Sequence, residues 1–122
     1  MIFAGFGFRT AASLESLCNA LELACGDLVP DQIATVLEKA DTPLFRVFAD
    51  HTELPVVAVP GDTLSAQRTL TQSPASQNAY GTGSVCEAAA LAAAGKGARL
   101  LGARTISSDG LATCALAQGE LT

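Results

Sequence analysis

At 122 residues, with 49% hydrophobic and 16% charged side chains, the chain is long enough for one domain with its own apolar core and too short for a second. Seven basic residues against twelve acidic ones leave a net charge of −5, which argues against a generic nucleic-acid or anionic-membrane surface, because both demand a basic patch. No apolar run approaches the roughly 18 residues of a membrane span. The opening MIFAGFGFRT puts its cation after the apolar stretch, the reverse of a signal peptide, so a cytoplasmic protein is expected.

In chain order, residues 2–6 read as a buried first strand closed by the tight turn Gly5-Phe6-Gly7, which leaves 5–10 as the loop before the next element. SLESLCNALELACG follows, with Leu14, Leu17, Cys18, Leu21, Ala24 and Cys25 at helical spacing, Ser13 as N-cap and Gly26 as the C-terminal glycine. Residues 32–40, QIATVLEKA, fit a helix through Ile33, Val36, Leu37 and Ala40 and a strand through Ile33, Thr35 and Leu37; periodicity leaves both open. Thr42-Pro43 reads as an N-cap with proline at the first helical position, ahead of an apolar face of Leu44, Val47 and Phe48.

PVVAV, 55–59, reads as a strand stopped by Pro60-Gly61-Asp62. Residues 61–83, rich in Thr, Ser, Gln and Gly, read as a mobile loop over a cleft with one or two short helical turns. After the alanine helix that starts near Ser84, ARLLGARTIS and GLATCALAQG flank the turn Ser108-Asp109-Gly110 and predict a C-terminal β-hairpin. The expected fold is a single α/β layered domain over 1–122, with a mixed β-sheet, helices packed on both faces and that closing hairpin.

Chemistry is concentrated in two glycine-bearing stretches. Ser84-Val85-Cys86-Glu87 has the spacing of a capping box, with the serine on the N–H of residue 87 and Glu87 reaching back to the N–H of residue 84. Gly81 and Gly83 before it suit a backbone that approaches a ligand, with the helix start offering N–H groups to an anion. Without a third glycine or a GxxxxGK[ST], nucleotide binding is the weaker reading. Gly5, Gly7 and Arg9 follow a strand and precede a helix, where α/β sheets gather ligands, and Arg9 has the fork that a carboxylate takes. Lys39, after the second apolar segment, has a similar role open to it.

Hydrolytic and metal chemistry are poorly supplied. His51, the one histidine, sits at an expected helix end, no GxSxG elbow exists, and Cys18, Cys25, Cys86 and Cys114 form no CxxC or Cys/His cluster. Cys86 near a helix start invites a lowered pKa, but among alanines it reads as a small buried side chain. No metal and no cofactor are expected.

GFGFR, the helix after it, Lys39 behind an apolar run, Ser73-Pro74 and GTGSVCEAAAL together resemble the CobE family of cobalamin biosynthesis, equivalent to the C-terminal domain of CbiG proteins, over residues 1–118. The resemblance implies an α/β domain with a strand over 33–37, and site positions at Gly5, Gly7, Arg9, Lys39, Ser73, Gly81 and Glu87. Thr42 stands where members of that family often carry an acidic residue, with Asp41 beside it.

The resemblance also implies a corrin-ring intermediate, precorrin or hydrogenobyrinate-type, as ligand. Such a macrocycle, edged with carboxylates, suits an apolar wall, close-approach glycines and a few cationic anchors. The first expectation is a binding protein that uses Gly5, Gly7, Arg9, Lys39, Ser73, Gly81, Gly83 and Ser84, as carrier or accessory to another pathway enzyme. The alternative is a lactone-opening enzyme of the cobalt-precorrin-5A hydrolase kind, with Glu87 and Lys39 in acid-base roles. A small phosphate or nucleotide binder is the third.

Overall fold

The structure, a computed structural model, describes residues 1–67, 69–70 and 84–119. Among these, β1 (Ile2–Phe8), β2 (Gln32–Val36), β3 (Val56–Val59), β4 (Arg99–Leu100), β5 (Thr105–Ile106) and β6 (Ala112–Gln118) form one sheet of order β3-β2-β1-β6-β4, with β5 also on β6. β1, β2 and β3 are parallel, while β6 runs antiparallel to β1, β4 and β5, so the sheet is mixed as expected.

One face is covered by α1 (Leu14–Cys25) and α3 (Pro43–Thr52). Side chains alternate across a strand, so Ala4, Phe6, Ile33, Cys114 and Leu116 meet Leu17, Ala20, Phe45 and Phe48 there. Phe6 is the centre of this layer, edge-on to Phe48 at 4.9 Å between centroids and to Phe45 at 5.9 Å, arrangements that favour the ring quadrupoles. α1 starts where Ser13 accepts the N–H of Ser16 and stops at Gly26, whose φ of +56° suits glycine. Thr42 and Pro43 open α3 as predicted, with Thr42 Oγ1 accepting from the N–H of Phe45.

The other face carries α5 (Val85–Ala94) and the short α4 (Gly61–Ser65), packed on Ala34, Val36, Val59 and Ala117. Alanines 88, 89 and 90 are fully buried, and their small side chains bring the helix axis close to the sheet. The closest approach is over Gly5, where a Cβ would lie 2.1 Å from the carbonyl oxygen of Cys86 and 2.5 Å from the nitrogen of Ala90.

Three local readings need correction or refinement. β1 does not end at Phe6, because its pairing with β6 continues through Gly7↔Thr113 and Phe8↔Ala112, so Gly5 and Gly7 are strand residues and the loop starts at Arg9. Residues 32–40 hold both alternatives in succession, β2 through Val36 and then the single-turn α2 (Leu37–Ala40). ARLLGARTIS is two strands rather than one, interrupted at 101–104; the second of them makes the expected hairpin with β6 around Gly110, at φ +74°.

Candidate functional site at the carboxyl edge of the parallel strands

The parallel strands direct their carboxyl ends to one edge, the usual position for ligands in open α/β sheets. β1 ends there at Phe8, with Arg9 next in the chain, and β2 runs into α2 with Lys39. The first turn of α5 reaches the same edge, since a Cβ on Gly7 would lie 3.6 Å from Val85 Cβ and 3.8 Å from the nitrogen of Cys86. Gly7, Arg9, Lys39 and Ser84, widely separated in sequence, are brought together in this way. Gly5 lies one pleat further in, and the close approach that its missing side chain permits is to α5. Ser73, Gly81 and Gly83, and most of the polar segment read as a loop over a cleft, fall outside the described residues.

Lys39 is held in place by its neighbours. Its ammonium donates to the carbonyl of Phe8 and sits 4.6 Å from the centroid of the Phe8 ring, a cation–π distance. The Phe8 ring is in turn stacked parallel to Phe45 at 5.9 Å. Thr42 fixes the backbone beneath, its hydroxyl donating to the carbonyl of Lys39 at 2.7 Å. Beside it, Asp41 is engaged in an exposed ion pair with Arg46. An ammonium has three N–H donors, so the contact to Phe8 leaves capacity for a ligand oxygen.

Burial lowers the Lys39 pKa from the ordinary 10.5 by disfavouring the charged form. NMR titration of the Nζ and Cε resonances should show its midpoint below that value. Between the lowered value and 10.5 the unfolded chain binds a proton that the folded chain does not, so this group makes stability rise with pH across that window.

Ser84 is buried and caps α5, its Oγ accepting the N–H of Glu87 at 3.5 Å and lying 3.4 Å from Cys86 Sγ. Glu87 is fully buried, and its Oε2 accepts the N–H of Arg104 at 3.0 Å, tying α5 to the 101–104 interruption between β4 and β5. Sequence spacing anticipated the serine arm of the cap but not this long-range bond. Glu87→Ala, which strips Arg104 of that acceptor, should cost about 1–3 kcal/mol in urea unfolding. Glu87→Gln, which keeps a carbonyl there, should cost clearly less; equal losses would show that the Arg104 bond is unimportant.

The remaining candidates are quieter. Desolvation raises the Cys86 thiol pKa and outweighs the hydrogen bonds from Ser84 and Thr113, the opposite of an activated thiolate. His51 is exposed in the last turn of α3. Among the described residues no cluster of three or more His, Cys, Asp or Glu forms a metal-binding group, and no helix is long and apolar enough to cross a membrane. A cavity of about 100 Å³ lined by Ala24, Leu28, Leu101 and Leu116, among others, lies away from the carboxyl edge. It is smaller than the ~300–1,000 Å³ of ordinary ligand pockets.

Sequence reasoning missed two contributors. Phe8 supplies the aromatic surface under Lys39, and Thr42 anchors the lysine backbone; the only hint of the first was an aromatic residue between Gly7 and Arg9.

Comparison with known proteins places this geometry in a family. The family model described as cobalamin synthesis G C-terminus matches residues 2–117. The solved structure of CobE, a protein from the cobalamin (vitamin B12) biosynthetic pathway, is 35% identical, with a TM-score of 0.85 over 96% of this chain and 89% of that one. Cobalamin biosynthesis protein chiG from Agrobacterium tumefaciens str. C58 is 31% identical, with a TM-score of 0.74 over 99% of this chain and all of that one. A homolog of cobalamin biosynthesis protein G from Sulfolobus solfataricus, 20% identical, shares the fold, with a TM-score of 0.72 over 98% of this chain and 37% of its own. The search of curated protein sequences returned no match. With the family model spanning nearly the whole sequence and two solved relatives above 30% identity, the chain belongs to the CbiG C-terminal family of cobalamin-biosynthesis proteins.

Proposed function

We propose that the chain binds a corrin-ring intermediate, precorrin or hydrogenobyrinate-type, at the carboxyl edge of its parallel strands and serves as carrier or accessory to another enzyme of the pathway in the cytoplasm. The observation that carries this reading is the Lys39 ammonium held over Phe8 at the edge where Arg9 follows β1 and Gly7 meets the start of α5, on a chain whose net charge is −5. A carboxylate-edged macrocycle needs an apolar surface to lie on and a few positive anchors at its rim. Phe8, only partly buried between Lys39 and Phe45, contributes to the first; Arg9, Lys39 and the N–H groups at the start of α5 offer the second. Ser73 and Gly81 are assigned to the same proposed site by the family pattern, and Gly83 by its place in sequence just before the helix start.

The test is gel filtration of the purified protein with metal-free and cobalt-containing ring intermediates, followed by visible spectroscopy and mass measurement of what co-elutes. An unchanged corrinoid travelling with the protein supports the binding role. Absence of co-elution with every intermediate overturns it and favours a phosphate ligand at the same helix start, which heat-protection by phosphate would reveal.

One observation favours a second reading, lactone opening of the cobalt-precorrin-5A hydrolase kind. Burial shifts the pKa of the Lys39 amine downward, the direction that acid-base work calls for. Glu87, buried and bonded to Arg104, suits a positioning role in that reaction better than proton transfer. A co-eluting product lighter by a two-carbon fragment would establish this reading over the carrier role.

A further inference from the structure

We propose that Asp109 is a positioning residue for the ligand site, holding both ends of the loop that carries Arg9 through its two carboxylate oxygens. The proposal rests on the reading of the carboxyl edge as a corrinoid site. The loop, residues 9–13, joins β1 to α1. At its first end, the N–H of Arg9 donates to the carbonyl of Leu111 at 2.9 Å, and the N–H of Leu111 donates to Asp109 Oδ1 at 3.0 Å. At its second end, Ser16 Oγ accepts the N–H of Ser13 at 3.1 Å and donates its own proton to Asp109 Oδ2 at 2.6 Å.

The geometry of Asp109 is itself fixed. Ser107 Oγ donates to Oδ1 at 2.5 Å, and the N–H of Ala112 donates to that serine at 3.0 Å, while Asn19 Oδ1 accepts the N–H of Ser108 at 2.6 Å. Ser16 and Ser107 are buried although they surround an exposed carboxylate. The Ser107 hydroxyl first, then that of Ser16, lowers the carboxyl pKa, so at neutral pH the group is ionised and acts only as an acceptor.

A plain hairpin turn needs none of the bonds to α1. A side chain in the β5–β6 turn that reaches 93 residues back to the first helical turn, and through Leu111 to Arg9, sets where an otherwise unsupported arginine can stand. Arg9 is exposed, and a long side chain binds a carboxylate well only from a fixed base, because the ordering entropy is then already met.

The experiment compares wild type, Asp109→Ala, Asp109→Asn, Arg9→Ala and the Arg9→Ala/Asp109→Ala double variant by amide hydrogen exchange and by titration with hydrogenobyrinic acid. Asp109→Ala should raise exchange at Arg9 and Ala12 at least tenfold relative to amides in the middle of the β1–β6 ladder, and weaken binding about tenfold. Asp109→Asn, which keeps an acceptor at Oδ1, should recover most of both. In the Arg9→Ala background the further loss of Asp109 should change affinity less than twofold.

The proposal is overturned if Asp109→Ala binds like wild type, if exchange rises equally throughout the ladder, or if Asp109→Ala costs as much without Arg9 as with it. If wild type binds no ring intermediate, the site reading falls and takes the ligand half of the proposal with it, whereas the loop-ordering half is decided by the exchange rates alone.

Discussion

Gly5→Ala is expected to be among the most damaging single-methyl changes in the protein. The added Cβ would lie 2.1 Å from the Cys86 carbonyl oxygen, 2.5 Å from the Ala90 nitrogen and 2.9 Å from Ala90 Cβ. Two of these are helix backbone atoms, which cannot swing aside as a side-chain tip does. α5 would have to lift away from β1 along much of its length, opening the layer of Ala34, Val36, Val59, Ala88 and Ala89. Overpacking of cores costs about 1–3 kcal/mol and occasionally more, and a contact this close belongs at the upper end. In a domain of this size that corresponds to a fall in Tm on the order of 10 °C.

Gly61→Ala is the matching control. No atom lies within 4 Å of its Cβ position and it opens α4, so it should be neutral or stabilising by up to ~1 kcal/mol. Thermal melts of the two variants side by side decide the matter. Equal melting temperatures would mean that β1 and α5 are not packed backbone to backbone. Because α5 starts at the carboxyl edge, Gly5→Ala should also weaken ligand binding, and this would reflect displacement of the helix rather than loss of a ligand contact.

Lys39→Met should have the complementary signature, a large effect on ligand and a small one on stability. Methionine keeps much of the apolar reach over Phe8 but has no N–H for a carboxylate. Hydrogen bonds to charged groups contribute about 1.5–3 kcal/mol, so corrinoid affinity should fall roughly 10- to 100-fold. Stability should fall by no more than about 1 kcal/mol, because water can replace the amine at the Phe8 carbonyl. Wild-type affinity should also weaken as pH rises through the lowered Lys39 pKa, since the amine then loses its charge, and the variant should lose that pH response. Unchanged affinity together with reduced stability would make Lys39 only a clasp between β1 and α2. Lys39→Arg is a useful third point, because a guanidinium keeps the charge and can stack on the Phe8 ring but presents a planar fork in place of a compact ammonium.

The caps were legible because they are local. Ser13, Gly26, Thr42 and Pro43 act on backbone groups within a few residues, and these residue types are suited to little else at those positions. The first and third parallel strands and the hairpin were legible from apolar runs and turn residues, whereas periodicity left 32–40 open and the end of β1 was placed too early. There the glycines looked like a turn, and what kept the chain extended was pairing to β6, more than a hundred residues away.

Of the site, Arg9, Lys39 and Ser84 could be nominated from sequence because each has a chemistry that loops and helix starts use. That they share one edge follows only from strand order and direction. The Lys39 contact to Phe8 and the Asp109 bond to Ser16 could not be paired from sequence, since neither leaves any periodicity.

By itself, then, the sequence determined the acidic balance, the helix ends, most of the alternation of strands and helices, and the family. Those properties are carried by composition and by interactions a few residues long. The tertiary structure alone decided why Gly5 must be glycine, which backbone N–H the Glu87 carboxylate accepts, and what holds Lys39, because each depends on segments that meet only when the sheet closes.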